Sequence, residues 1–173
     1  MERIGSRTIY EGRIASVRVE EFRYDDGSTA EREVIGHPGA VVIAAHDAEM
    51  LWMVRQPREP VGEPALLELP AGKLDVPGES PLDCAKRELA EEVGKAASEW
   101  REIKRFYTSP GLLAERVIAF LASGLSDVEG RAGERIQVVP WPLGELDRAI
   151  TDCADAKSLV AMLLLRDELR TRA

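Results

Sequence analysis

Short stretches of alternating apolar and polar residues, separated by turn formers, open the chain. Ser16 to Phe22 alternates, and Asp25-Asp26-Gly27-Ser28 is a turn signal before Ala30 to Ile35. The segment from Thr8 to about Ile35 therefore predicts an N-terminal antiparallel sheet. His37-Pro38-Gly39 breaks this pattern before Ala40 to Ala45, an unbroken apolar run of a length that suits a buried central strand, with Leu51 to Val54 as its neighbour. Residues 56–65 carry Pro57, Pro60 and Pro64, which predict a loop leading into Leu66-Leu67-Glu68-Leu69.

A helix is marked at both ends. Ser80 supplies an N-cap hydroxyl, Pro81 the first helical position, Asp83 a carboxylate three residues after the cap, and Gly94 the stop. At about 100° per residue, Leu82, Ala85, Leu89 and Val93 share one arc, the expected buried face. Glu88, Glu91 and Glu92 share the adjacent arc. Beyond the helix, strands are expected at Glu102 to Tyr107, Val117 to Leu121 and Ile136 to Val139, with a Gly-rich acidic loop from Ser123 to Glu134. Helices are expected at Leu143 to Ile150 and Ala154 to Arg170. No repeat or linker divides the chain, so one domain over 1–173 is expected.

Composition narrows the possible roles. At 173 residues, with 45% hydrophobic and 31% charged positions, the chain sits in the range of one globular domain. Its longest purely apolar runs, Ala40 to Ala45 and Leu159 to Leu165, fall far short of the roughly 18 residues a membrane helix needs. No secretory pattern opens the sequence, so a cytoplasmic location is expected. Two cysteines, Cys84 and Cys153, make no disulfide framework. The net charge of −8 argues against a nucleic-acid partner. An anionic substrate would need metal ions or a few local arginines to offset repulsion.

Three carboxylates at i, i+3 and i+4 repel one another, by roughly 0.2–0.5 kcal/mol per pair in an isolated helix. Oxygen ligands at that density suit a hard divalent cation such as Mg²⁺, and the loop Leu69-Pro70-Ala71-Gly72-Lys73 can add backbone carbonyls where Gly72 permits a close turn. The plainer reading is a solvated glutamate face with Arg87 and Glu91 as an ordinary i,i+4 pair.

The whole string from Gly72 to Gly94, with Glu79, Arg87-Glu88-Leu89, Glu91-Glu92 and Gly94 in order, resembles the Nudix box, GX5EX7REUXEEXGU with U apolar. Two departures occur: six residues rather than five separate Gly72 from Glu79, and Lys95 stands at the final apolar position. The extra residue falls in a turn, which predicts looping out near Val76 or Pro77, and Lys95 bears only on packing. The resemblance implies an α/β fold of the α+β kind, a Nudix-type α/β/α sandwich with a mixed sheet preceded by an N-terminal antiparallel β-sheet. The N-terminal strands would span about 1–38 and the catalytic core about 39–173.

What the resemblance implies about chemistry is a set of expectations. Glu88 and Glu92 would be the principal metal ligands, with Glu91 as a further ligand or partner and the Ala71 carbonyl completing the site. Arg87 would orient the glutamates and Glu79 would brace the loop that begins at Gly72. Glu134 is the expected general base, with Glu129 as its competitor. Pro110, within Tyr107-Thr108-Ser109-Pro110-Gly111, together with Glu115, is similar to the mark of the ADP-ribose pyrophosphatase branch. Arg55 and Arg58 are candidates for phosphate or ribose contact, and Arg32 for nucleotide contact. Phe22 and Tyr24 could face an adenine, although packing is their more ordinary use. Cys84 reads as a small packed residue, and His37 and His46 lack metal-ligand spacing. The activity implied is Mg²⁺- or Mn²⁺-dependent cleavage of ADP-ribose to AMP and ribose 5-phosphate, with two or more ions per site, in a homodimer. Another nucleoside diphosphate sugar, such as GDP-mannose, and a non-catalytic nucleotide sensor are the alternatives.

Overall fold

The alternating N-terminal segment forms three antiparallel strands, β1 (Glu2–Glu11), β2 (Ser16–Arg23) and β3 (Thr29–Gly36), in the order β1-β2-β3. These come from a computed structural model, which describes residues 1–129 and 135–172. The chain divides into two compact units, Met1–Gly39 with Tyr107–Arg116, and Ala40–Phe106 with Val117–Ala173.

In the first unit β1 begins at Glu2, ahead of the predicted Thr8. Buried Glu20 on β2 accepts from Arg3 at 3.2 Å and from Arg18 at 3.1 Å, so a charge pair adds to the β1–β2 ladder in holding the start of β1. The predicted turn forms, with Asp26 Oδ1 accepting from the Ser28 N–H at 2.9 Å. Residues Leu112 to Ala114 run beside β3, exchanging backbone hydrogen bonds with Ile35.

The second unit contains β4 (Ala40–His46), β5 (Met50–Arg58), β6 (Glu63–Glu68), β7 (Ala71–Lys73) and helix α1 (Pro81–Val93). Then follow β8 (Lys95–Tyr107), β9 (Arg116–Asp127), β10 (Gln137–Pro142), α2 (Leu146–Asp152) and α3 (Ala156–Arg172). The sheet order is β10-β5-β4-β9-β8, with β6 on β5 and β7 on β4. The β4–β9 pair is parallel and β10–β5 antiparallel, so the sheet is mixed.

Alternation along β4 sets the layers. Ala40, Val42 and Ala44 pack with Leu146 and Ala149 of α2 and Ala161, Met162 and Leu165 of α3. Val41, Ile43 and Ala45 pack with Cys84, Ala85, Leu89 and Val93 of α1. A strand buried on both faces needs apolar residues at every position, which is why its sequence shows no alternation. The result is a sheet between helical layers. Among the described residues, no helix is long and apolar enough to cross a membrane.

Helix α1 starts and stops at the marked residues. Ser80 Oγ accepts the Asp83 N–H at 3.1 Å, and Gly94 adopts φ +71°, returning its N–H to Ala90. Cys84 joins the buried face, as Glu92 does, while Leu82 is only partly covered. Lys95 lays its ammonium over the Trp52 ring at 4.1 Å and pairs with Asp127 at 2.5 Å, so its stem fills an apolar position.

Two predicted loops are in part strand. β5 runs through Pro57 to Arg58, and β6 includes Pro64. Pro57 sits where the β5–β6 register shifts between Gln56 and Arg58, a bulge that tolerates a missing N–H. Pro60 lies in the single 3₁₀ turn Glu59–Val61 joining the two strands. Likewise β9 continues past Ser123 to Asp127, and β8 begins at Lys95 rather than Glu102. Cross-strand ties from Ser123 to Glu99 and from Lys95 to Asp127 support polar, glycine-containing sequence that lacks strand propensity. The Val76 carbonyl accepts the Glu79 N–H at 3.2 Å and Val76 is exposed, so the extra box residue is taken up in a surface turn.

Leu89 is fully buried between α1 and the sheet. Leu89→Ala is expected to lower unfolding free energy by about 2–5 kcal/mol, read by urea denaturation. Leu163→Ala, on the partly exposed side of α3, should cost well under half as much.

Candidate active site

Strands β4 and β5 pair only at Ala45–Trp52 and His46–Leu51. Beyond that they part, β6 pairing with β5 from Val54 onward and β7 pairing with β4 from Val42 back to Ala40. Leu69 and Pro70 bridge this gap. Pro70 O accepts the Ile43 N–H at 2.9 Å, and the Leu69 N–H donates to Ser158 Oγ at 2.8 Å. The chain thereby brings Ala71 and Gly72 alongside α1.

Glu92 reaches this segment. Its Oε2 accepts the Ala71 N–H at 3.1 Å, and the residue is only 8% exposed. Burial pushes its carboxyl up to about 7, with Glu88 adding like-charge repulsion, while the Ala71 N–H and Arg58 pull the other way. Glu88, one turn earlier, is also raised by burial, against the pull of Arg87. A Cβ on Gly72 would overlap Cγ and Cδ of Glu88, so glycine is the residue that lets the strand pass this side chain.

Arg87 ties the cluster together. Its Nε and Nη2 donate to Glu79 at 2.8 and 3.0 Å, a bidentate pair. Its Nη1 donates to Glu88 at 2.7 Å and to exposed Glu91 at 3.1 Å. These bonds raise the Arg87 guanidinium and hold the Glu79 carboxyl below its ordinary value. Cys84 Sγ lies buried against the Lys73 carbonyl at 3.4 Å, its thiol pushed up to about 12 by burial, and therefore packs as an unreactive residue.

Among the described residues, no three His, Cys, Asp or Glu side chains converge as a preformed metal cage. The donor chemistry nevertheless fits a hard divalent cation: two desolvated carboxylates one turn apart on one helix face, both with raised proton affinity. Such a cation would relieve the repulsion that burial imposes.

The other expected residues are distributed as follows. Arg58 is committed to Glu68, donating at 2.9 and 2.5 Å, which raises its guanidinium. Arg55 holds the Ala65 carbonyl at 3.3 Å. In the first unit, Arg32 and Pro110 line a cavity of about 380 Å³ with Phe22, Tyr24 and Glu20, and Arg32 donates to the Tyr24 hydroxyl at 3.1 Å. Glu115 accepts from Thr108 at 2.7 Å and lies 3.5 Å from His37. Glu129 is exposed just after β9, and Glu134 lies outside the described residues. The sequence reading passed over Glu68, Asp155 and Ser158. A lone carboxylate within Leu66-Leu67-Glu68-Leu69 was the available signal, since a charge inside a buried run demands a partner.

Residues 36–161 match the NUDIX domain family model, and residues 1–35 match the nucleoside diphosphate sugar hydrolase N-terminal domain. The chain belongs to the Nudix family, as a hydrolase of the ADP-ribose pyrophosphatase-like type. It is 35% identical to the methanol dehydrogenase activator of Bacillus methanolicus over 170 residues, 94% of this chain and 91% of that protein. To the ADP-ribose pyrophosphatase of Bacillus subtilis (strain 168) it is 42% identical over 127 residues, 73% of this chain and 68% of that one. To the ADP-ribose pyrophosphatase of Mycobacterium tuberculosis it is 41% identical over 154 residues, covering 86% and 74%. A solved ADP compounds hydrolase superposes with a TM-score of 0.85 at 25% identity, covering 99% of this chain and 95% of that one.

Gly72→Ala is expected to displace Glu88 while leaving Tm within a few degrees of wild type. Loss of divalent-cation binding in calorimetry, with an unchanged circular dichroism spectrum, checks it. A second expectation concerns pH. Because the Glu92 carboxyl is raised from 4.5 to about 7 on folding, its contribution favours the native state fully below about pH 4.5 and is lost as pH rises through 7. In chelator, the stability of wild type relative to Glu92→Gln should fall between pH 4.5 and 8 by on the order of 2–3 kcal/mol, read by denaturant titration at each pH.

Proposed function

We propose that the chain hydrolyses the pyrophosphate bond of ADP-ribose, giving AMP and ribose 5-phosphate, with Mg²⁺ or Mn²⁺ held by Glu88 and Glu92. The observation that carries this reading is the desolvated Glu88–Glu92 pair, braced by Arg87 and the Ala71 amide on a helix beside a glycine-cleared strand. The names of the Bacillus subtilis and Mycobacterium tuberculosis relatives support the substrate.

Breaking a P–O–P linkage with water needs a nucleophile, charge neutralisation on the phosphate oxygens and a proton acceptor. When bound, a divalent cation neutralises phosphate charge and makes water a stronger acid near neutral pH. Glu88 and Glu92 supply the charges that hold it, and Glu91 together with the Ala71 carbonyl adds oxygen donors. Arg87 keeps Glu88 and Glu91 oriented through one nitrogen while the rest of its guanidinium grips Glu79. Glu134 takes the proton from the attacking water, and Glu129 is its alternative. Arg55 contacts a phosphate or ribose oxygen.

In the first unit, the cavity lined by Phe22, Tyr24, Arg32 and Pro110 offers aromatic faces and a guanidinium, the chemistry that recognises a nucleobase. The exposed Ile9 and Tyr10 of β1 support a homodimer, since an apolar edge strand is ordinarily covered. One observation favours a second reading: the long match to a protein named an enzyme activator, which fits a nucleotide-binding regulator.

Hydrolysis is measured against ADP-ribose, GDP-mannose and other nucleoside diphosphate sugars, with Mg²⁺ or Mn²⁺ and with chelator, the products identified by mass. Metal-dependent AMP and ribose 5-phosphate, with ADP-ribose the best substrate, is the expected result. Preference for another nucleotide would discard the substrate, and tight ADP-ribose binding without turnover would favour the regulator. Glu92→Gln should lower turnover about a hundredfold or more while remaining folded. Retained activity would refute the proposed metal site.

A further inference from the structure

The connection between α2 and α3 supports the segment that carries Ala71, though none of its side chains enters the chemistry proposed above. Ser158, fully buried in the first turn of α3, accepts the Leu69 N–H at 2.8 Å and donates its own hydroxyl to Asp155 Oδ2 at 2.5 Å. Asp155 also accepts the Ser158 N–H at 3.0 Å, so it caps α3 and fixes the direction of that hydroxyl. A hydroxyl whose hydrogen is committed to a carboxylate leaves its lone pairs for the Leu69 amide.

The residues before Leu69 are held as firmly. Glu68 accepts from Arg58 and from Gln56 at 3.0 Å, and Lys157 joins it to Asp155, at 3.6 and 2.9 Å. Cys153 Sγ reaches the Leu67 carbonyl at 3.3 Å. Leu69 itself lies in the gap between β5 and β4 and belongs to neither ladder, so its amide depends on a side-chain acceptor.

We infer that Asp155 and Ser158 are positioning residues for the cation-binding glutamates. Ser158 fixes Leu69, the short path through Pro70 fixes the Ala71 amide, and that amide orients Glu92. The inference rests on reading Glu92 as a cation ligand.

Ser158→Ala removes the acceptor for Leu69 and leaves the cap of α3 in place. In metal-free protein, deuterium exchange at the Leu69 and Ala71 amides should accelerate while β9 amides keep their protection. The Mn²⁺ dissociation constant, read by electron paramagnetic resonance, should rise about tenfold or more, and kcat should fall with KM within about twofold. Ser158→Thr, which keeps the hydroxyl, should recover most of the Mn²⁺ affinity. If Ser158→Ala does not fold, Asp155→Asn undergoes the same three measurements. Mn²⁺ affinity and kcat within about twofold of wild type, in a variant with faster Leu69 exchange, would reduce the pair to a purely structural role and overturn the inference. A wild type that binds Mn²⁺ through Glu92 but hydrolyses none of the nucleotides would overturn the proposed substrate alone. The Mn²⁺ and exchange measurements would then still decide the positioning role.

Discussion

Strands β4 and β5 share two residue pairs and then separate, and the second unit is arranged around that parting. A sheet opened this way exposes two inner edges whose backbone groups must find partners. β6 and β7 take one edge each, and Leu69 and Pro70 cross between them under restraint from Ile43 and Ser158. The crossing leaves an amide, Ala71 N–H, turned towards α1 instead of towards a strand. Glu92 accepts from it because α1, capped at Ser80 and stopped at Gly94, packs Leu89 and Val93 on the same face of the sheet. Gly72 follows at once, and its missing side chain is the space that Glu88 uses.

This arrangement places carboxylates where water would ordinarily be required. Burial of Glu92 and Glu88 disfavours their charged forms, and one N–H together with one shared guanidinium nitrogen offsets only part of that cost. A protein selected for stability alone would place a neutral residue at position 92. The strained protonation equilibrium is therefore a feature of the site that the proposed chemistry would use, since a cation bound by the native state returns the lost stability by mass action.

Local signals made most of the fold legible. Both ends of α1 were readable because capping chemistry lies within a few residues of the ends it controls, and the two-faced burial of β4 followed from a run without polar interruption. The glutamate arc was visible because a helix converts spacing directly into a shared face. Errors arose where a distant partner overrode local propensity. Pro57 sits in a strand because the β5–β6 register shifts there, and the β9 extension relies on residues of β8. Glu68 escaped notice for the same reason: its partners Arg58 and Lys157 are remote in sequence, and nothing in the four residues around it says that they will meet. Arg58 was open to either a phosphate contact or a salt bridge on sequence alone, and the structure shows it bonded twice to Glu68.

The charge balance then constrains how an anionic substrate could be met. The second unit's cations beside the crossing segment are largely spoken for: Arg58 and Lys157 by Glu68 and Asp155, Arg87 by Glu79, Glu88 and Glu91. Arg55, which holds a carbonyl at 3.3 Å, trades away only a weak contact if it turns to a phosphate. One arginine cannot neutralise a diphosphate in a chain of net charge −8. In the proposed reading the remaining positive charge arrives with the divalent cation, which relieves the glutamates and the phosphates at once. Cation and substrate should therefore bind with positive coupling: each lowers the electrostatic cost of the other, and by linkage the enhancement must be equal in both directions. The same glutamates that carry this desolvation cost thus supply the discrimination against substrate without metal, Glu88 held by Arg87, which Glu79 grips, and Glu92 by the Ala71 amide.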